Sequence, residues 1–361
     1  MPRPSHFNID LDALTHNFEA LSRLAAPRQK MAVVKANAYG HGAIPCAKAL
    51  ETSVDAFAVA ITEEAIELRD AGIAKPILVL QGPHSSEDVA AITAFSLWPA
   101  ISNHQHLDWL RSHNDKPGTV WLKIDTGMHR LGFDANDVAD AKSALHAAGI
   151  QNITLMSHFA EAEDTESVLT QRQMTRWNEV VNDWYDMAEK NDHASFSNSA
   201  ATVGANSAGE SWVRLGYSLY GGSLIPLPEG LKLRPVMAFT SKVAAIRWID
   251  TGETVGYGGR WVARRPSRIA TIPVGYGDGY PRAAIDGTPI GTLHGTIPLA
   301  GKVSMDMITA DVTDTPAIEL GSEVTLWGSE PSVDEVAAHC GTIGYELCTR
   351  ITERTPRRFS R

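Results

Sequence analysis

A lysine that follows a run of apolar residues is the first sign of chemistry in this chain. Lys35 lies in the segment AVVKANAYGHG, residues 32–42, directly after Val33 and Val34. Its amino group is therefore expected at the end of a buried strand, where an ammonium is costly unless it is paired or neutral. Two interpretations are open from the residues alone. Lys35 either reaches solvent or a carboxylate partner, or it forms an imine with a carbonyl cofactor.

Eight short apolar runs alternate with helical segments through the first two-thirds of the chain. This alternation predicts a parallel sheet, either open and doubly wound or closed into a barrel, and eight units favour the (β/α)8 TIM-type barrel. Lys35 would then lie at the C-terminal end of the first barrel strand, where such folds carry their catalytic residues. The runs are residues 31–34, 56–60, 77–80, 96–101, 120–124, 153–156, 194–197 and 212–221.

The sequence changes character at a proline-rich stretch, residues 224–235. Beyond it, strand candidates separated by glycine turns predict a mainly antiparallel β domain. We therefore predict an α/β protein with two domains. The barrel covers residues 8–228, and the β domain covers residues 229–361 together with residues 1–7.

Polar residues before two helical segments predict where those helices begin. Thr62 is expected to cap a helix in the barrel domain, because glutamates follow it. Ser332 is expected to cap a lone helix in the β domain, with Glu335 completing a capping box.

The composition is that of an ordinary globular protein, with 43% hydrophobic and 20% charged residues among 361. A net charge of −10 argues against a nucleic-acid partner, and no apolar run is long enough to predict a membrane span. The three cysteines, Cys46, Cys340 and Cys348, show no C-x-x-C spacing, which favours a reduced, cytoplasmic setting. Acidic residues near position 161 match no metal-ligand spacing, so no metal is expected.

Nine segments, taken together, resemble the alanine racemase family. AVVKANAYGHG is similar to the motif that attaches pyridoxal phosphate in that family. The other eight follow in family order: IDTGMHRLGF (124–133), SHFA (157–160), NSAA (198–201), VRLGYSLYG (213–221), GYGGRW (256–261), VGYGDGY (274–280), GKVSMDM (301–307) and GTIGYELCTRI (341–351). The resemblance implies a pyridoxal-phosphate enzyme that interconverts L- and D-alanine, for peptidoglycan or for catabolism. It also implies a barrel with a β domain, and a homodimer whose active sites are shared between subunits.

The resemblance implies one base on each face of the substrate Cα. Lys35 would serve one face, and Tyr257, contributed by the partner subunit, would serve the other. Arg214 is implied to face the pyridine nitrogen of the cofactor, to which a guanidinium donates a hydrogen bond but no proton. His158 is implied to link Arg214 to Tyr257 and so to tune the phenol. On spacing alone, each of these residues also fits a purely structural role.

Contacts to the cofactor phosphate are implied for hydroxyls and amides from several segments. Ser199 begins a predicted helix, and helix N-termini favour anions, although a plain N-cap is equally open. Tyr217 departs from the small or aliphatic residue expected there, which is harmless if only its amide is used. The implied set is Tyr39, Ser199, the backbone of Gly216 and Tyr217, and Tyr345.

Substrate binding is implied for Arg130 and the backbone amide of Met305. Arg130 would bind the substrate carboxylate by charge-assisted hydrogen bonds. Tyr276 and Tyr345 match family tyrosines that narrow the entrance and so favour a methyl side chain. Aromatic core packing explains either tyrosine equally well from sequence.

A second lysine precedes Arg130 by seven residues on the same predicted strand. Some family members carry a carbamylated lysine at the position of Lys123, where it holds this arginine. Carbamylation is therefore one hypothesis for Lys123. The other is an unmodified lysine that pairs with Asp125 or with solvent.

Three other functions compete with racemisation of alanine. A barrel-type amino-acid decarboxylase would need a glycine-rich phosphate loop and a catalytic cysteine, and Cys340 and Cys348 lack that setting. A racemase for larger amino acids is typically exported, and no export signal is apparent here. A pyridoxal-phosphate carrier usually lacks a second domain, so residues 236–361, and Tyr257 above all, argue against it.

Overall fold

A computed structural model of the chain describes residues 3–186, 192–204 and 209–361. Strand β1 (His6–Asp10) and helix α1 (Leu11–Ala25) come first, and a closed eight-stranded barrel follows. Its strands are β2 (Gln29–Val33), β3 (Ala56–Val59), β4 (Ile77–Val79), β5 (Trp98–Ile101), β6 (Thr119–Lys123), β7 (Asn152–Met156), β8 (His193–Ser195) and β9 (Trp212–Leu215). Neighbouring strands run parallel, and β2 pairs with β9 to close the ring. The predicted barrel is confirmed, with one strand from each apolar run.

Three tryptophans fill the interior of the barrel near the N-terminal ends of its strands. Trp98 and Trp212 are the first residues of β5 and β9, and their ring centroids lie 6.0 Å apart across the interior. Trp121 contacts both rings, at 6.4 Å and 5.7 Å. Because these large side chains occupy this end, a ligand can enter only at the C-terminal ends of the strands.

Helices connect the barrel strands and cover the outside of the ring. They are α3 (Ala43–Leu50), α4 (Thr62–Asp70), α5 (Ser86–Ala94), α6 (His104–Ser112), α7 (Val138–Ala147), α8 (Val168–Asp186) and α9 (Ser199–Val203), whereas the short segment α2 (Lys35–Tyr39) is a left-handed turn at the end of β2. The prediction that Thr62 caps α4 is wrong, because Ile61 occupies the cap position and Thr62 is already helical. Within the described residues, no helix has both the length and the apolar character that a membrane crossing requires.

The remaining strands form a mainly antiparallel β domain, as predicted. Its largest sheet has the order β16-β15-β18-β10-β1-β19, so that the N-terminal strand β1 lies between two C-terminal strands. Met1 and Pro2 lie outside the described residues. The strands are β10 (Met237–Lys242), β11 (Ala245–Ile249), β12 (Thr254–Val255), β13 (Trp261–Val262), β14 (Ser267–Ile272), β15 (Pro289–Thr292), β16 (Gly295–Pro298), β17 (Ile308–Asp311), β18 (Glu323–Trp327) and β19 (Arg357–Ser360).

Two short helices of the β domain, α10 (Val333–Ala338) and α11 (Gly344–Thr349), pack against each other. The hydroxyl of Ser332 accepts the amide hydrogen of Glu335 at 3.1 Å, so the predicted cap of α10 is present. The Glu335 side chain does not accept the amide hydrogen of Ser332, so the predicted capping box is only half formed. Helix α11 also contacts α2 of the barrel, which brings the β domain to the C-terminal end of β2.

Candidate active site

A cavity of about 310 Å³ lies at the C-terminal ends of the barrel strands. Two lysines and two arginines line it, and among the described residues its lining includes no carboxylate. Such a cavity favours anionic ligands, because the positive charges are not neutralised locally. Its lining is Lys35, Lys123, Arg130, Arg214, His158, Tyr39, Tyr217, Tyr345, Ser199, Asn198, Gln81, Gly216, Val33, Ala60, Leu80, Leu131 and Met156.

Lys35 lies on a left-handed turn just beyond β2. Each residue from Ala36 to Tyr39 has φ between 50° and 54°, a region that costs a non-glycine residue about 1 kcal/mol or more. The carboxylate of Glu64 holds this turn by accepting the amide hydrogens of Ala36 at 2.6 Å and Ala60 at 2.7 Å. The result is that Lys35 and Tyr39 both line the cavity.

The amino group of Lys35 is in surroundings that disfavour its charged form. Burial lowers its pKa, and the nearby positive charges of Arg130 and Arg214 lower it further, while Glu64 acts in the opposite direction. Within the part of the chain that the structure describes, no carboxylate lies within ion-pair distance of its Nζ atom. A neutral amine is the nucleophile that imine formation requires.

Arg214 projects from β9 into the cavity wall and is 4% exposed. Its guanidinium donates hydrogen bonds to the carbonyl oxygen of Ser157 at 2.6 Å, to Oγ of Ser195 at 2.6 Å and to the carbonyl oxygen of Phe196 at 3.1 Å. Burial lowers its pKa to about 10, so it remains a cation at neutral pH. Uncharged hydrogen-bond acceptors therefore fix the position of the Arg214 side chain.

His158 lies next to Arg214, with its Nδ1 atom 3.3 Å from Nη2 of the arginine. Burial lowers the pKa of His158 well below its usual value, and the positive charges of Arg214 and Lys123 lower it further. The imidazole is therefore neutral in the folded protein.

Three donors converge at one end of the cavity. The Oγ atom of Ser199 accepts the amide hydrogen of Gly216 at 2.7 Å, and a Cβ atom on Gly216 would lie 2.8 Å from the hydroxyl of Tyr39. Both hydroxyls can donate to a phosphate group, and the Gly216 amide could do so by exchanging Ser199 for the phosphate. The alternative of Ser199 as a plain N-cap is wrong, because Asn198 caps α9 by accepting the amide hydrogen of Ala201.

The phenols of the cavity wall are protonated hydrogen-bond donors. Burial raises the pKa of Tyr345 to about 12 and raises the pKa of Tyr39 further. The ring of Tyr345 stacks on that of Tyr217, with centroids 3.8 Å apart, and the hydroxyl of Tyr217 donates to Oδ1 of Asp334 at 2.5 Å. Sequence reasoning considered only the backbone of Tyr217 and missed Asp334.

Lys123 ends β6 and is 7% exposed. Burial lowers its pKa to about 8, with further contributions from the positive charges of Arg214 and Arg130. The carboxylate of Asp125 accepts the amide hydrogens of Gly127 and His129. Among the described residues it forms no ion pair with Lys123, so the alternative of an unmodified Lys123 paired with Asp125 is not met. Arg130 was expected on the same strand, which is wrong, because β6 ends at Lys123 and Arg130 lies on the following loop.

Three predicted site residues lie away from the cavity of their own chain. Tyr257, Tyr276 and Met305 belong to loops of the β domain and are 70%, 37% and 53% exposed. The cavity thus gathers the predicted residues of the barrel and Tyr345, while these three side chains face outward. Gln81 and Asn198 also line the cavity and were not predicted, because a lone amide side chain carries no sequence signal.

The fold and the cavity define a class of protein: an enzyme built on a (β/α)8 barrel with a β domain attached. Two family models place the chain within that class. The model described as the N-terminal domain of alanine racemase matches residues 9–224, and the model of its C-terminal domain matches residues 236–359. The chain therefore belongs to the alanine racemase family.

Individual relatives are similar along nearly the whole chain. An alanine racemase of Stutzerimonas stutzeri is 43% identical and covers 99% of both sequences. A catabolic alanine racemase of Pseudomonas putida is 40% identical, also over 99% of both. The crystal structure of the biosynthetic alanine racemase from Pseudomonas aeruginosa superposes with a TM-score of 0.93 at 40% identity, over 99% of this chain and 100% of the other.

Proposed function

We propose that this chain interconverts L-alanine and D-alanine with pyridoxal phosphate bound through Lys35. The observation that carries the proposal is the cavity itself, in which a lysine of lowered pKa lies among cations, with no carboxylate in the described lining. Relatives named as alanine racemases support the choice of substrate.

The residues of the cavity fit this cofactor. Lys35 offers the amine for an imine, and Ser199, Tyr39 and the amide of Gly216 offer donors for the phosphate. Tyr345 and the backbone of Tyr217 complete that set in the proposal. When bound, pyridoxal phosphate supplies an electron sink that makes the Cα–H bond of an amino acid acidic. Arg214 would face the ring nitrogen and, as a guanidinium, leave it without an added proton.

Two bases would exchange the Cα proton on opposite faces. Lys35 is one, because burial lowers its pKa and so favours the neutral amine, the form that can take up a proton. Tyr257 is the other, contributed by a second copy of the chain, because it is exposed and lies outside the cavity of its own chain. His158 would connect that phenol with Arg214. A homodimer is thus part of the proposal.

Arg130, together with the amide of Met305 from the second copy, would bind the substrate carboxylate. Tyr276 and Tyr345 would narrow the entrance so that a methyl side chain is preferred. Lys123 is proposed to be carbamylated, since carbon dioxide reacts with a neutral amine and burial lowers the pKa of this lysine to about 8.

The proposal also assigns a role to each of the two domains and a cellular compartment to the protein. The barrel, residues 8–228, would carry the cofactor, and residues 229–361 with residues 1–7 would supply Tyr257 to the other subunit. The three free cysteines support a reducing, cytoplasmic setting.

The test is a chiral assay of the purified full-length chain with added pyridoxal phosphate and L-alanine. D-alanine should accumulate until both enantiomers are equal, with no release of amine by decarboxylation. The Lys35→Ala variant should lose the visible absorbance of the bound cofactor together with the activity. A wild-type chain that binds the cofactor and forms no D-alanine would contradict the proposal.

A further inference from the structure

The side chain of Tyr217 is unusual because it connects the two domains at the wall of the cavity. It follows Gly216 in a short 3-10 turn (Tyr217–Tyr220) and is 2% exposed. Its ring stacks on Tyr345 of α11, with the ring planes 16° apart, and its hydroxyl donates to Asp334 of α10. One barrel residue therefore contacts both short helices of the β domain.

Two glycines provide the space for this ring. A Cβ atom on Gly344 would lie 1.9 Å from the hydroxyl oxygen of Tyr217, and one on Gly222 would lie 2.2 Å from its Cε1 atom. Neither glycine has a φ in the left-handed region, so backbone conformation does not require glycine at either position. The volume of Tyr217 explains the absence of a side chain at Gly222, and at Gly344 it does so together with Oδ1 of Asp334, which would lie 2.4 Å from a Cβ atom there.

The aromatic ring that stacks on Tyr217 is part of the cavity wall. Tyr345 lines it together with Lys35 and Arg130, and its ring also faces Tyr39 at a centroid distance of 5.9 Å. In the described part of the chain, no protein group is hydrogen-bonded to the hydroxyl of Tyr345. Within the protein the ring is therefore oriented by packing, with Tyr217 as its closest aromatic contact, and a bound phosphate would add a contact to the hydroxyl alone.

We propose that Tyr217 is a specificity-determining positioning residue: its stacked ring fixes the ring of Tyr345 and so limits the substrate side chain to about the size of a methyl group. This inference rests on the proposed function and names the residue that enforces its substrate preference. Tyr217 itself exchanges no proton and acts through Tyr345.

The test compares racemisation of alanine with that of 2-aminobutyrate, which is one methylene longer. A pocket discriminates one methylene by about 10- to 200-fold in kcat/KM. The Tyr217→Leu variant should raise the ratio of kcat/KM for 2-aminobutyrate to that for alanine by about tenfold, mainly through a lower KM for the longer substrate. Tyr217→Phe is the matched control, because it keeps the stacked ring, and its ratio should stay within about twofold of wild type.

A second experiment, which needs no catalysis, measures the thermal unfolding of variants of the same protein. Gly344→Ala should lower the Tm, because the new methyl group overlaps the hydroxyl of Tyr217. The same change should have a much smaller effect in the Tyr217→Leu background. This experiment also stands in when Tyr217→Leu is too unstable for kinetics. Gly344→Ala combined with Tyr217→Phe removes the overlap with the hydroxyl and should recover part of the Tm, while the overlap with Oδ1 of Asp334 remains.

The outcomes separate this inference from the proposed function. Wild-type protein that racemises neither amino acid would contradict the function, whatever the unfolding data show. Active protein whose substrate ratio is unchanged in Tyr217→Leu would overturn the inference alone. A ratio that shifts as far in Tyr217→Phe as in Tyr217→Leu, or equal effects of Gly344→Ala in both backgrounds, would also overturn it.

Discussion

Nη2 of Arg214 lies 3.3 Å from Nδ1 of His158 at the wall of the cavity. A guanidinium can only donate a hydrogen bond, so Nδ1 of this neutral imidazole must be the acceptor. The proton of His158 is therefore on Nε2, which is free to donate to another group. In the proposed dimer that group is the phenol of Tyr257, and the contact would stabilise its ionised form.

This arrangement predicts different effects for two substitutions of His158. Glutamine keeps one acceptor and one donor, whereas phenylalanine keeps neither. We expect His158→Phe to lower kcat for alanine by about 100-fold and His158→Gln by about tenfold, since proton-transfer groups contribute about 10²- to 10⁴-fold. Steady-state kinetics of the L-to-D and the D-to-L reaction measures these changes in kcat. Equal kcat values for His158→Phe and wild type would rule out the connection.

Sharing of active sites between subunits predicts complementation between two inactive variants. Lys35→Ala removes one base and Tyr257→Phe the other, and each variant alone should lose about 10²-fold or more in kcat. In a mixed dimer one site contains both substitutions and the other contains neither. Random pairing after co-expression should therefore restore about a quarter of wild-type activity. If Tyr257 acts within its own chain, the co-expressed variants should show no recovery of racemase activity.

Carbamylation of Lys123 predicts a dependence on pH and on bicarbonate. At pH 8 about half of the Lys123 amines are neutral, compared with about 0.3% for a lysine of ordinary pKa. The carbamate should therefore form increasingly as pH rises from 6 to 8. Carbon-13 NMR of protein equilibrated with labelled bicarbonate should show a carbamate signal that Lys123→Arg abolishes and that substitution of the exposed Lys242 leaves intact. A wild-type spectrum without that signal would exclude the modification.

A buried histidine next to the left-handed turn predicts loss of stability in acid. Burial lowers the pKa of His41 to about 4 from 6.5, so between these values the unfolded chain binds more protons than the folded one. The free energy of unfolding then falls as pH falls through this range, by about 1.4 kcal/mol per pH unit for this group. Urea unfolding of His41→Asn should show a shallower pH dependence than wild type. The exposed His294 is the matched control, and equal slopes for wild type and His41→Asn would contradict the assignment.

The barrel is predictable from sequence because parallel strands are covered on both faces. The run AFAV of β3, for example, is buried at every position and reads as continuous apolar sequence. The cap of α4 was not predictable in the same way. Thr62 has the right residue type, but the chain enters the helix one residue earlier, at Ile61.

The finer geometry of the site depends on contacts that no local pattern contains. Ala36, Asn37, Ala38 and Tyr39 include no glycine, so nothing in their types predicts four consecutive left-handed residues. Tyr217 directly follows Gly216, a candidate for phosphate binding, and begins a 3-10 turn. Its side chain nevertheless contacts Asp334, 117 positions later. Tyr257 is connected to the active site only by family resemblance, since in one chain it faces outward.

The left-handed turn is also held from the far end of the polypeptide. Gly40 closes it, and a Cβ atom there would lie 2.0 Å from the carbonyl oxygen of Cys348, while Nε of Arg357 donates to the carbonyl oxygen of Gly40 at 2.7 Å. The segment that carries Lys35 near the start of the chain thus shares its packing with residues about 300 positions later. We expect a product shortened by a premature stop codon before Cys348 to lose these contacts of Gly40, so that only the contacts within the barrel, such as those of Glu64, would hold the turn.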